Sequence, residues 1–225
     1  MSKFKNSLID TNIFPSFIVS TDLRSLVSTD SVRSDFIDIR NSDDGIRKTN
    51  VGGWHSELFN DTDLSDNLLK YENLNLLYNL SVEFIDEFLS ENKTNLYVSR
   101  STGWLLENET SAYNTLHNHG KTDLIAVYYV DIPENCSGIK LLRTDAFTQT
   151  ALCGSNNSPQ FATSFSPKVT PGRLFVIPGH LYHYVESFDS EGKRRSVVFN
   201  INCDNTFHRS LNSVHCPSTG LFCAL

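Results

Sequence analysis

The chain is expected to be mainly β with flanking helices, its strands rolled into a jelly-roll barrel. Three observations predict this. From Leu96 onward, short apolar runs alternate with Gly, Ser, Asn and Pro, the punctuation of strands and turns. About seven or eight such runs follow one another before Ile201, the number and length of a jelly roll. The strongest helical pattern lies ahead of them all, as for a helix packed against a sheet.

Near the start, Ile13-Phe14-Pro15 followed by Phe17-Ile18-Val19 reads as a short strand with proline at its entry. Asp22 to Arg40 is polar, with apolar residues at Leu23, Leu26, Val32, Phe36 and Ile37, and predicts a weakly amphipathic helix. Asn50 to Ser56 is a glycine-containing loop presenting Trp54 and His55. Between Leu64 and Leu89, the residues Leu74, Leu77, Tyr78, Phe84, Ile85, Phe88 and Leu89 recur at helical spacing, a stripe suited to packing on a sheet. Ser65 and Asp66 are its candidate N-caps.

The strand runs are Leu96 to Val98, Trp104 to Leu106, Tyr113 to His119, Leu124 to Val130, Ile139 to Leu142, Leu174 to Ile177, Leu181 to Val185 and Arg195 to Ile201. Ala146 to Thr170 is a long polar connection, a candidate substrate cover together with Asn50 to Ser56. The whole chain, 1–225, is expected to be one domain. Its parts are an N-terminal strand with supporting helices (1–92), a β core (93–203) and a C-terminal tail (204–225).

A net charge of −7 makes nucleic acid a poor default partner. No run of about 18 apolar residues predicts a membrane span. The five cysteines have no C-x-x-C spacing, and Met1 to Asp10 carries lysines without an apolar segment. Free thiols in a reducing, cytoplasmic compartment are therefore expected, with Cys216 and Cys223 the pair that an oxidising setting would join. Exposed edge strands leave a homodimer open.

Chemistry-bearing residues gather in two places. On a strand, residues two apart share a face, so His117 and His119 project together and their imidazoles can chelate a divalent transition metal. Gly172, Pro178 and His183 stand at the spacing used in cupin-type barrels to bring a late histidine beside an early HxH. His180 is the rival for that role. Arg194 and Ser196 share a face by the same alternation, and a guanidinium beside a hydroxyl is a carboxylate clamp; the competing reading is a solvated basic turn at Lys193-Arg194-Arg195. His55, His208 and His215 read as surface histidines.

These pieces resemble a known family. Ile13-Phe14-Pro15 near the start, Gly53-Trp54-His55-Ser56, Tyr113-Asn114 through His117-Asn118-His119, Val127 to Val130 and Pro171 to Leu174 match it in turn. Leu181 to Val185 and Arg194 to Asn200 complete the match. The chain is similar to the 2-oxoglutarate/iron(II) oxygenases of bacteria and phages. The resemblance implies that the core is a double-stranded β-helix. It also implies an iron(II)- and 2-oxoglutarate-dependent dioxygenase with dioxygen as co-substrate, a hydroxylase of a small-molecule or peptide substrate.

The resemblance further implies that His117 and His183 ligate iron, with His119 as third ligand where the wider superfamily has Asp or Glu. Asp123 or water in place of His119 is the alternative. Arg194 and Ser196 would then take the far carboxylate of 2-oxoglutarate, and Tyr129 or Tyr128 would hydrogen-bond it, with Tyr129 the candidate. Two other functions remain in view: a three-histidine cupin-like dioxygenase that uses no keto acid, and a non-catalytic barrel serving as a binding module.

Overall fold

The computed structural model describes residues 16–60, 68–143 and 162–205. Strand β1 (Val19–Asp22) leads to helix α1 (Thr29–Ser42). Three two-residue strands follow, β2 (Asn50–Val51), β3 (Trp54–His55) and β4 (Phe59–Asn60). A 3-10 turn at Leu68–Lys70 precedes helix α2 (Glu72–Glu91). The remaining strands are β5 (Leu96–Asn108), β6 (Tyr113–His117), β7 (Leu124–Asp131) and β8 (Ile139–Leu142). They continue with β9 (Ser164–Phe165), β10 (Arg173–Pro178), β11 (His183–Val185) and β12 (Arg194–Asn205).

These strands form two antiparallel sheets. The larger runs β1-β10-β7-β12-β5-β3, with β4 also on β5; the smaller runs β2-β6-β11-β8-β9. The mainly β class with flanking helices holds. Among the described residues, however, the strands remain two sheets and do not close into a barrel.

The period-two alternation assigns each strand residue to one of two cores. On one face of the large sheet, Leu105, Tyr128, Val197 and Phe199 meet Phe36 of α1 and Leu74, Leu77 and Ile85 of α2. On the other face, Trp104, Ile125, Val127, Tyr129, Phe175 and Val198 pack with Ile139 of the small sheet. Strand β7 is covered on both faces, so Leu124 to Val130 is apolar throughout and every one of its residues is buried.

Helix α1 starts later than the sequence pattern suggests. Asp22 ends β1, Leu23 still donates to the Gly172 carbonyl at 2.9 Å, and a turn closes on the Leu23 carbonyl. Ser28 then caps the helix, its hydroxyl accepting from the Ser31 N–H. Val32, Phe36 and Ile39 are the buried stripe, whereas Leu26 and Ile37 are exposed.

The apolar stripe of α2 is as expected, but its N-terminus is capped across the helix pair. The Asp35 carboxylate of α1 accepts from the N–H groups of Asn73 (2.9 Å) and Leu74 (3.3 Å), placing an anion at the positive end of the helix. Ser65 and Asp66 lie outside the described residues, as do Ile13-Phe14-Pro15, Cys153, Cys216, Cys223, His208, His215 and most of Ala146 to Thr170.

The runs at Leu96 and Trp104 prove to be one strand. Gly103 between them is no break: a Cβ there would sit 2.8 Å from Phe199 Cδ1, so glycine makes room for the ring on β12. Asn50 to Ser56 likewise contains two short strands, and Trp54 and His55 are buried rather than presented to solvent.

The basic triplet is divided by alternation. Lys193 (2.8 Å) and Arg195 (2.7 Å) both pair with buried Glu107, and Arg195 also reaches Asp131 at 2.9 Å. Burial alone would raise Glu107; its hydrogen bonds from Lys193 and Arg195 outweigh that and hold it below the ordinary glutamate range. Arg194 faces the opposite way, between the sheets.

Candidate metal centre

His117 ends β6 and His183 begins β11, and the two are direct cross-strand partners, which puts their ring centroids 4.4 Å apart. His119 lies beyond the end of β6. Its N–H donates to the Gly179 carbonyl (3.0 Å), and its own carbonyl accepts from Thr122 (3.1 Å), closing a turn through Gly120 at φ +59. This turn, rather than strand alternation, brings the His119 ring to 5.2 Å from His117 and 5.0 Å from His183. The candidate donor atoms of all three lie within 4.8 Å of one another. Among the described residues this is the cluster that could hold a metal ion.

Each imidazole is oriented by an acceptor at Nδ1. His117 Nδ1 donates to the Thr115 carbonyl at 2.6 Å and His183 Nδ1 to the Leu181 carbonyl at 2.8 Å. His119 Nδ1 donates to Asn200 Oδ1. An acceptor at each Nδ1 assigns the proton there and leaves the Nε2 lone pairs for a ligand. Burial is the main reason all three titrate low, with His119 at about 4 and His183 at about 3; burial also lowers His117. They are neutral at pH 7, as metal ligation requires.

The triad opens onto a cavity of about 220 Å³ between the sheets. One face of β12 supplies Arg194, Ser196, Val198 and Asn200, and β5 supplies Trp104, Leu106 and Asn108. Arg194 is 4% exposed. Its Nη1 donates to the carbonyls of Ser137 (2.8 Å) and Glu186 (3.0 Å), while Nη2 is buried with no partner among the described residues. Among the described residues no carboxylate lines this cavity, and a buried guanidinium held at one nitrogen suits an anionic ligand at the other.

Tyr129 belongs to the same lining. Its hydroxyl accepts from the Ile139 N–H at 2.9 Å, and full burial pushes it up to about 12, so it keeps a proton to donate. Tyr128 points to the helix side, 3.3 Å from the Thr29 hydroxyl.

The sequence-predicted residues His117, His119, His183, Arg194, Ser196 and Tyr129 thus line one cavity. His180 is exposed. Asp123, the alternative to His119, has its carboxylate on the Cys203 N–H at 2.8 Å and is not in the cluster. One expectation is corrected: His55 is no surface histidine. It is 4% exposed and stacks on Trp104 at 5.5 Å and 10°, because β3 docks its ring on the inner face of β5. Asn200 and Trp104 were also overlooked. The alternation that selects Arg194 and Ser196 continues to Asn200 and would have found it.

A family model described as "Putative 2OG-Fe(II) oxygenase" covers β6 to β11, most of β5 and much of β12. Residues 102–200 match that family. The resemblance read from the sequence is borne out over this segment.

Among solved structures, a prolyl-4-hydroxylase from Pseudomonas putida aligns with a TM-score of 0.56 at 12% identity, covering 82% of this chain and 91% of its own. The carbocyclase SnoK from nogalamycin biosynthesis aligns at 0.54 and 16%, covering 92% and 90%. HygX from Streptomyces hygroscopicus, with nickel and 2-oxoglutarate bound, aligns at 0.51 and 16%, covering 85% and 84%. At these identities the likeness is one of fold, the double-stranded β-helix of 2OG-Fe(II) oxygenases. No curated protein matches the sequence. No helix among the described residues is long and apolar enough to cross a membrane.

Proposed function

We propose that the protein is an iron(II)- and 2-oxoglutarate-dependent oxygenase that hydroxylates a small-molecule or peptide substrate. His117, His119 and His183 hold the metal through Nε2. Arg194 Nη2 and the Ser196 hydroxyl take the far carboxylate of 2-oxoglutarate, and Tyr129 donates its phenolic hydrogen to the same co-substrate. When bound, iron and 2-oxoglutarate together supply oxidation of a C–H bond by dioxygen, with succinate and carbon dioxide as co-products.

The observation that carries this reading is the buried Arg194 with its orphaned nitrogen, in the same cavity as the triad. Charge supports it. Three neutral imidazoles leave the full charge of a divalent metal uncompensated, and Arg194 adds another positive charge in a low-dielectric site. A dianion with carboxylates at both ends answers both. The chain's own work is orientation and exclusion of water: carbonyls and Asn200 fix the imidazoles, Ser137 and Glu186 fix the guanidinium, and Trp104, Ile125, Val127 and Val198 keep the cavity dry.

Anaerobic addition of 2-oxoglutarate to the iron(II)-loaded protein tests the proposal. A weak visible charge-transfer band is expected; iron that stays bound with no such band would overturn it. One observation favours a second reading. A histidine in the third ligand position also suits a dioxygenase that uses no keto acid, and for that enzyme Arg194→Ala would leave metal and activity nearly unchanged.

A further inference from the structure

Resting on that functional reading, we infer that His55 and Trp104 form the substrate-recognition wall of the cavity, and that the group they receive is a neutral hydrogen-bond donor, an amide N–H or a hydroxyl, at the end of a larger substrate. The proposed mechanism leaves His55 without a role, yet it is among the most deeply buried polar residues. Its Nδ1 donates to the Ser56 carbonyl at 2.6 Å, so Nε2 presents a lone pair. Nε2 has no partner among the described residues, and His55 lines the cavity. An acceptor held on a strand and left open toward a cavity is completed by a donor.

The surroundings narrow the chemistry. His55 stacks nearly parallel on Trp104, and Trp104 lies 5.6 Å from His119, so the wall adjoins the metal centre and offers a flat apolar face. Asn108 of the same lining gives its Nδ2 to Asn114 Oδ1 at 3.2 Å. Among the described residues no carboxylate lines the cavity, whereas Lys48 and Arg194 do, so a cationic amine meets two like charges there. Burial is the leading cause that lowers His55 below the ordinary histidine range, consistent with a neutral acceptor. The volume of about 220 Å³ is below the roughly 300–1,000 Å³ of a site that encloses a whole ligand. With the keto acid seated, there is room for the end of a substrate only, and its body lies outside past Lys48 and Leu58.

The test uses the full chain loaded with zinc(II) and 2-oxoglutarate. Probes of matched size, propionamide and propylammonium, are titrated while the His55 imidazole and Trp104 indole nitrogens are followed by 15N NMR. Propionamide should shift both resonances saturably. His55→Phe should weaken its binding at least tenfold, with zinc and 2-oxoglutarate affinities held within about twofold. His55→Gln, which restores an acceptor, should recover part of the loss. Propylammonium should leave both nitrogens unmoved.

The inference is overturned if propionamide binds His55→Phe as well as it binds the parent protein. It is equally overturned if propylammonium binds the more tightly, or if propionamide leaves Nε2 of His55 unmoved. Running the same titration on the metal-free protein reads this wall alone. A failure of zinc or keto-acid binding then counts against the oxygenase reading and not against the wall.

Discussion

Arg194→Ala gives the sharpest consequence of the proposed site. The guanidinium is already fixed by the Ser137 and Glu186 carbonyls at 2.8 and 3.0 Å, so little conformational entropy is lost when a carboxylate arrives. A charge-assisted bond to a pre-placed guanidinium in a buried site is worth about 2–4 kcal/mol. Its loss should weaken 2-oxoglutarate binding by roughly 30- to 700-fold. The assay is calorimetric titration of 2-oxoglutarate into manganese(II)-loaded protein, with manganese affinity measured alongside. Metal binding should change little, because the guanidinium bonds to none of the three imidazoles. Arg194→Lys should fall between, keeping the charge but losing the fork. The two carbonyls lose their donor, so a fall in thermal stability is also expected and is read separately by calorimetry. Parent-like 2-oxoglutarate affinity in a folded Arg194→Ala protein would refute the assignment.

Three other outcomes follow from the same geometry. Asn200→Leu removes the acceptor that fixes the His119 tautomer and should cost roughly 10- to 100-fold in metal affinity, measured by competition with a chelating dye; Asn200→Asp should retain or tighten binding. In the metal-free protein, His183 titrates near 3 when folded and near 6.5 when unfolded. The unfolded chain therefore takes the proton first, and stability falls as pH drops from 6.5 toward 3. At pH 5 the loss from His183 alone is about 2 kcal/mol relative to neutral pH; urea titrations at pH 7.5 and 5 would read the summed loss from the lowered histidines, and His183→Gln should reduce it by about that share. Gly179→Ala places a Cβ 2.1 Å from the Thr122 carbonyl oxygen. It should destabilise the fold by about 1–3 kcal/mol and, by shifting the Gly179 carbonyl that receives the His119 N–H, weaken metal binding as well.

Local pattern made much of this site readable. The period of two on β12 put Arg194 and Ser196 on one face, and the apolar run after them marked that face as interior. Short range also suffices for His117, because it ends a strand. His119 joins the cluster by another route: a turn held by Gly179, far along the chain, supplies what alternation alone does not.

What escaped was set by contacts distant in sequence. Nothing around His55 distinguishes it from a loop histidine until β3 pairs with β5 and Trp104 receives its ring. The late start of α1 depends on Leu23 bonding to Gly172, and the cap of α2 comes from Asp35 on the other helix. Gly103 reads as a break because glycine usually is one; only the ring of Phe199 above it shows why the strand continues. The two-sheet arrangement, as against a closed barrel, rests on pairings among edge strands of two residues, too short to carry a period.

The central claim is that three imidazoles and one guanidinium serve a single ligand pair. The most direct test is a crystal structure of the protein with manganese(II) and 2-oxoglutarate. The account predicts the metal on Nε2 of His117, His119 and His183, and the far carboxylate on Arg194 Nη2 and Ser196. A keto acid bound elsewhere, or a metal held without His119, would contradict it.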